Sequence, residues 1–241
     1  VSGTAGLLLG GVVLLGAFVQ WLTGMGFALV AVPALVMVLG PADGVSFANC
    51  AAGVVCVLGL SRGWRQVRLR AMVPLVIAAA CTAPLGAWFS SVLPEPVLLV
   101  VMGGLVTVTA ALLMSGLRVR ALKGLAGALT AGAAGGFMNT AAGLGGPPVS
   151  LYAVNANWTI REFVPNALFY GTLVNIFSLI TRGVPPLAGD EWLVAAAGLL
   201  LGAGLGALLA GRIPDRAARL MVLSLAVAGG IVTATKGLLA A

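Results

Sequence analysis

The residues of this 241-residue chain whose types and spacing suit chemistry are glycines and side-chain amides rather than charges. Gly24-Met25-Gly26 and Gly143-Leu144-Gly145-Gly146-Pro147-Pro148 each interrupt a long apolar run. A helix that begins just after such a turn leaves its first N–H groups without intrahelical partners, and donors and dipole together attract anions. Glycine lets a ligand come close to the backbone, so Gly24, Gly26, Gly143, Gly145 and Gly146 are candidate contacts. Gln20 and Asn139 precede the two turns at equivalent positions, and Asn49, Asn166 and Asn175 lie in otherwise apolar helices. Tyr152 and Tyr170 are the two tyrosines. A polar group buried in lipid must find a partner, so Gln20, Asn49, Asn139, Tyr152, Asn166 and Tyr170 either touch a ligand or join helices. The chemistry on offer is the holding of a small anion by backbone donors and amides. The same glycines also suit tight packing with no ligand.

What is missing narrows the field further. The chain has no histidine, so the commonest general base and metal ligand is absent. There is no HExxH, no nucleophile elbow and no carboxylate pair at a plausible depth, which argues against an enzyme. Cys50, Cys56 and Cys81 lie inside apolar runs without CxxC spacing, so neither a disulfide framework nor a metal site is expected. They read as small buried hydrophobes. No cofactor is implied. No ionisable residue lies securely within an apolar run, so a proton relay through a buried carboxylate has no candidate; Arg161 and Glu162 sit at the mouth of a helix.

The elements that must position these residues are membrane helices. The sequence is 61% hydrophobic and 8% charged, with a mean hydropathy of +1.13. A soluble domain is about 25% charged. Disorder requires high charge, and a nucleic-acid binder requires clustered bases on a polar surface; here thirteen bases and six acids are scattered between apolar runs. Full-length runs cover 44–60, 71–93, 97–117, 163–181, 192–210 and 217–235. Residues 1–39 would make a single helix of about 58 Å, far more than one crossing needs. This region and 122–157 therefore each read as two segments around a glycine turn, the second arm short. The start of the chain lacks a basic region and does not resemble a cleaved signal peptide.

This predicts an all-α polytopic membrane protein of ten segments, five in a repeat over 1–117 and five in a repeat over 118–241, with glycine-broken hairpins at segments 1–2 and 6–7. Loops carrying Arg62, Arg65, Arg68 and Arg70, then Arg118, Arg120 and Lys123, then the bases of 212–219, are expected in the cytoplasm. Asp43, Glu95, Asp190 and Glu191 are expected outside, with both termini. The turns stand 119 residues apart, and that shift also places Gln20 on Asn139 and Ala79, Ala83 and Ala87 on Gly198, Gly202 and Gly206. Equivalent loops carry opposite charge, which indicates two halves of inverted orientation, the usual build of secondary transporters. The small-residue ridges suit close helix contact. Trp64, Trp158 and Trp192 read as interface anchors; Trp21 either fills the core or packs over a ligand.

The stretch from Gly135-Gly136-Phe137-Met138-Asn139-Thr140 through Gly143-Leu144-Gly145-Gly146-Pro147-Pro148 to Tyr152 resembles the second-half signature of the TauE/SafE sulfite exporter family. Gly24-Met25-Gly26-Phe27, reaching Val32-Pro33, resembles its first-half signature, with Phe27 and Ala28 where members usually carry more glycine. The resemblance implies a multi-pass carrier of a bacterial inner membrane for sulfite, sulfoacetate or another sulfonate, or related organic acids. By position it implies substrate contact at Gly143, Gly145, Gly146 and Pro147, with the Gly145 and Gly146 N–H groups suited to sulfonate oxygens. Alternating access is the expected mechanism and export the expected direction. An anion channel with re-entrant glycine loops and a carrier of non-sulfur organic acids are the alternatives. The expected partners are the substrate anion and membrane lipid, with proton coupling possible, no nucleic acid, and a monomer or homodimer as the assembly.

Overall fold

The computed structural model describes residues 3–24, 26–115, 123–209, 212 and 215–240, and the side chains of these apart from 3–5, 160 and 215–219. Met25, Arg118 and Arg120 lie outside the described residues, as do the side chains of Arg216 and Arg219. Among the described residues the secondary structure is helical: α1 (Gly3–Thr23), α2 (Phe27–Leu60), α3 (Leu69–Val92), α4 (Glu95–Ser115), α5 (Gly124–Ala142), α6 (Gly146–Asn155), α7 (Ile160–Arg182), α8 (Gly189–Leu209) and α9 (Asp215–Ala240), with a single 3-10 turn at Trp64–Gln66. Seven of the helices are long and apolar enough to cross a membrane. α5 and α6 are not among them, and the ten residues of α6 reach only about 15 Å, half of a hydrocarbon core. The fold is an all-α, polytopic, membrane-spanning one.

α2 is broken inside. Gly40 takes φ +82° and ψ +167°, outside the helical region, and Pro41 restarts the helix where its missing N–H costs little. Gly44 then lies against the Val36 backbone, where an added Cβ would come within 2.7 Å of the Val36 Cα. A short arm (27–39) and a long arm (41–60) result, and counting them separately restores the expected ten segments.

Small residues bring backbones together at three helix pairs. On α8, Gly198 and Gly202 face the carbonyls of Gly10 and Leu14 on α1, and Gly206 faces Phe18 and Trp21. On α5, Gly132 and Gly136 face the carbonyls of Leu75 and Ala79 on α3. Gly103 of α4 meets the carbonyl of Gly230 on α9. The ridge expected on α8 is a contact surface. On α3, Ala79 and Ala83 are buried, whereas Ala87 is only half-buried and Gly86 makes the close approach instead, facing the Phe137 carbonyl. α2 packs against α7 between these pairs. Under the 119-residue shift, the pair α1–α8 maps onto α5–α3, while α4–α9 and α2–α7 map onto themselves.

The two ends of the bundle differ in charge. At one, the Arg68 N–H donates to Asn166 Oδ1 (2.8 Å) and the Arg68 guanidinium pairs with Glu162 at 2.9 Å. We call this the arginine end. The other gathers the Gly40 break, the α3–α4 turn and the 183–188 loop, and carries Asp43, Glu95, Asp190 and Glu191. We call this the acidic end. Between them the outer face is apolar, with Leu7, Trp88, Ile180 and Leu193 more than half exposed.

A paired substitution tests the close contact on α8. Gly202 has a carbonyl against it, whereas Gly204, two residues on, faces open space. Gly202→Leu is expected to destabilise the fold in detergent by at least about 1–3 kcal/mol, as overpacking typically does, read as a lower melting temperature, and Gly204→Leu to leave that temperature unchanged.

Candidate functional site

The two glycine turns have the same construction. Gly24 and Gly143 both take φ +72°, the left-handed region in which glycine carries no Cβ penalty. The Gly24 N–H donates to the Gln20 carbonyl at 2.8 Å, and the Gly143 N–H to the Asn139 carbonyl at 2.7 Å. The side chains of the same two residues then reach forward. Gln20 Oε1 accepts from the N–H groups of Gly26 and Phe27, each at 3.0 Å. Asn139 Oδ1 accepts from the Gly145 N–H at 3.1 Å. An amide oxygen thus caps the start of α2 and another the start of α6. A buried donor left without an acceptor costs about 1–3 kcal/mol, and an amide stands at each place to receive one.

This alters one expectation. The Gly145 N–H, expected to face a sulfonate oxygen together with Gly146, is engaged by Asn139. The amide oxygens of Gln20 and Asn139 stand where an anion's oxygens would be received.

Both turns face one cavity of about 60 Å³, roomy enough for about four or five waters or one small polyatomic ion. Its lining includes Gln20, Gly24 and Gly26 from the first half of the chain and Asn139, Gly143, Gly145, Gly146 and Pro147 from the second. Residues 119 apart in sequence therefore meet across one space. No lining residue carries a formal charge. α7 contributes Ala167, Tyr170, Gly171, Val174 and Asn175, and the long arm of α2 contributes Ala52 and Cys56. Gln20 Nε2 lies 3.3 Å from Cys56 Sγ, and Asn139 Nδ2 donates to Asn175 Oδ1 at 3.1 Å and to the Val174 carbonyl at 3.3 Å. Each capping amide is held from behind by the central helix opposite it.

Four expected residues have other duties. Asn166 is fully buried at the arginine end, where it accepts from the Arg68 N–H and donates to the Glu162 carbonyl at 2.6 Å. It ties the 61–68 loop to α7, away from the cavity. Tyr152 packs edge-on against Trp158, ring centroids 5.7 Å apart, in a cluster with Met72 and Leu75. Asn49 sits behind the cavity wall and donates to Ser178 Oγ at 2.6 Å and to the Asn139 carbonyl at 3.4 Å. Tyr170 does line the cavity, but its hydroxyl donates to the Gly132 carbonyl at 3.2 Å, joining α7 to α5. Trp21 lies outside the cavity, beneath the Arg62 guanidinium at 4.9 Å from the ring centre. Trp192 packs on Phe47, ring centroids 5.5 Å apart.

The cavity residues on α7 that carry no signal of polar chemistry are Ala167, Gly171 and Val174. They share one helical face with the candidates Tyr170 and Asn175 at spacings of three and four, a periodicity that places all five toward the cavity.

The family described as sulfite exporter TauE/SafE matches residues 8–233. The chain belongs to the sulfite exporter TauE/SafE family. It is accordingly a multi-pass membrane transporter of small anions, from a family of transporters rather than enzymes. No curated protein and no solved structure matches the chain. The match spans both turns, so the TauE/SafE assignment covers the whole of the cavity described above.

Replacing either cap strands buried donors. Gln20→Ala and Asn139→Ala are each expected to lower unfolding stability by about 1–3 kcal/mol, measured as a shift of thermal midpoint in detergent. Asn139→Ala is expected to cost more, because its Nδ2 also holds Asn175 and Val174.

Proposed function

We propose that this TauE/SafE protein is a secondary transporter that carries small sulfur-containing anions, sulfite, sulfoacetate or another sulfonate, outward across a bacterial inner membrane by alternating access. The observation that carries the reading is the meeting of two helix starts, built on matching glycine turns, around one charge-free cavity. Two positive helix ends facing one space favour an anion. The lining carries no charged group, which leaves recognition to backbone N–H groups that the caps do not take, such as those of Ala28 and Leu29, and to side-chain amides, which suit the oxygens of a sulfite or sulfonate group.

We take the two halves to be inverted repeats with the substrate site between them. The matched turns and the helix pairs that exchange under the 119-residue shift support this. Rocking of one half against the other would expose the cavity to each side in turn. The arginine end is read as cytoplasmic from its charge, with both termini external. An anion leaving a cell with a negative interior is driven outward by about 2.3 kcal/mol per charge per 100 mV, so export needs no coupled ion.

The test is flux in proteoliposomes with sulfite, sulfoacetate, taurine and thiosulfate under an imposed voltage or pH gradient. Slow, saturable flux of sulfite or a sulfonate, accelerated by a membrane potential of the right sign, is the expected outcome. Unitary currents would make the protein a channel, and a preference for cations or for non-sulfur organic acids would overturn the substrate reading. Gly145→Leu is expected to abolish flux while the protein stays monodisperse. A Cβ at Gly145 already comes within 2.8 Å of Asn139 Oδ1, so the larger side chain must fill the cavity or expel the cap.

A further inference from the structure

Between the cavity and the acidic end the interior is filled by polar groups bonded to one another in layers along α7. Nearest the cavity, Asn139 holds Asn175. One turn further, Asn49 Nδ2 donates to Ser178 Oγ and to the Asn139 carbonyl. One turn further again is Arg182. Its guanidinium donates through Nη1 to Ser90 Oγ of α3 and to the Thr140 carbonyl of α5 (3.0 Å), and through Nη2 to the Ala42 carbonyl just past the Gly40 break in α2 (3.1 Å). One side chain at the end of α7 therefore laces together α2, α3, α5 and α7.

Two features mark this lacing as releasable. Arg182 Nε and Thr140 Oγ1 are buried without hydrogen-bond partners, so the closed arrangement leaves a donor of the guanidinium and a hydroxyl unsatisfied. The acceptors are two carbonyls and a hydroxyl, none of them a carboxylate, and a guanidinium bonds more weakly to neutral acceptors than to an ion. Asp43 follows Ala42 in the sequence and offers a carboxylate to the guanidinium once it is released. Thr140 also adjoins Asn139, so freeing the Thr140 carbonyl loosens the turn of α5 that carries the cap into the cavity.

We propose that Arg182 is the latch of a gate at the acidic end: while it holds Ser90, Thr140 and Ala42 the cavity is closed toward that end, and its release opens a path for the anion between α2, α5 and α7. The path runs along the polar stripe Asn175, Ser178 and Arg182, and brings the anion past a cation at its mouth. The proposal rests on the alternating-access reading for its purpose but not for its test.

Cys56 lines the cavity and serves as a reporter. In a Cys50→Ala, Cys81→Ala background, the rate at which a membrane-impermeant methanethiosulfonate modifies Cys56 is measured from each face of sealed vesicles. A separate Val184→Cys chain identifies the acidic-end face, since Val184 is exposed in the 183–188 loop. Arg182→Ala is expected to speed modification from that face by roughly ten-fold, as when a minor open state rises from about 1% to about 10%. Ser90→Ala, which removes one acceptor and leaves no charge unpaired, is expected to change the rate in the same direction by less, and decides the matter if Arg182→Ala does not fold. Unchanged rates, or equal acceleration from both faces, would overturn the gate. Modification requires no transported ion, so acceleration in a protein that moves none of the test anions would sink the transport reading and leave the gate standing.

Discussion

A helix that starts within an apolar interior has N–H groups that water cannot reach. This protein has two such starts, after Gly26 and after Gly145, and the rest of the site follows from how they are satisfied. Gln20 and Asn139 each turn an amide oxygen onto the glycine six residues later that leads into the next helix. The cap must come from the helix just ended, which requires a glycine in the left-handed region to reverse the chain within reach. The amide's own N–H then needs an acceptor, which the central helices supply at Cys56, Val174 and Asn175. Asn139 is the more heavily used. Its backbone carbonyl accepts from Gly143 and Asn49 while its side chain bonds Gly145, Asn175 and Val174. A single residue so ties a turn of α5 to both α2 and α7.

Around this centre the helices are held by proximity more than by polar bonds. Lipid gives little hydrophobic drive to pair apolar helices, so contact depends on how closely their backbones approach. Glycines on α8, α5 and α4 place carbonyls of the partner helix where a Cβ would otherwise stand. The pairs α1–α8 and α3–α5 thereby become close-packed flanks, and α2 and α7, which line the cavity, lie between them. The bonded side chains cluster at the turns, at the Arg68–Asn166–Glu162 tie and at Arg182. These are the places where segments change direction or end.

Much of this was legible in the sequence. Apolar runs separated by basic or acidic loops mark the long helices, and the shared 119-residue offset by itself brings Gln20 and Asn139 into register. What could not be read was the direction in which a side chain points. Asn166 and Asn139 are both buried asparagines in apolar stretches, yet one staples a loop at the arginine end and the other caps a turn at the cavity. Composition does not separate a ligand contact from a helix tie, because both satisfy the same buried amide. Tyr152 stands apart from the cavity lining for a related reason: closeness in sequence to the Gly143–Pro148 turn does not place a ring inside it, and one turn of helix carries it to Trp158. Arg182 was overlooked because it lies at the end of an apolar run, where a cation normally reaches to water; here it bends inward to three acceptors.

Pro147 and Pro148 have a consequence beyond starting α6. They remove two of the four donors that the first turn of a helix ordinarily leaves free, and Asn139 already holds the donor just before it. The corresponding positions in α2 are Ala28 and Leu29, which keep theirs. The backbone around the cavity is nearly two-fold, but its donors are not. With Gly26 and Phe27 held by Gln20, a guest lying between the turns meets the N–H groups of Ala28 and Leu29 on one wall and proline hydrocarbon at the matching places on the other, so a molecule with an ionic head and a neutral tail has a preferred way round.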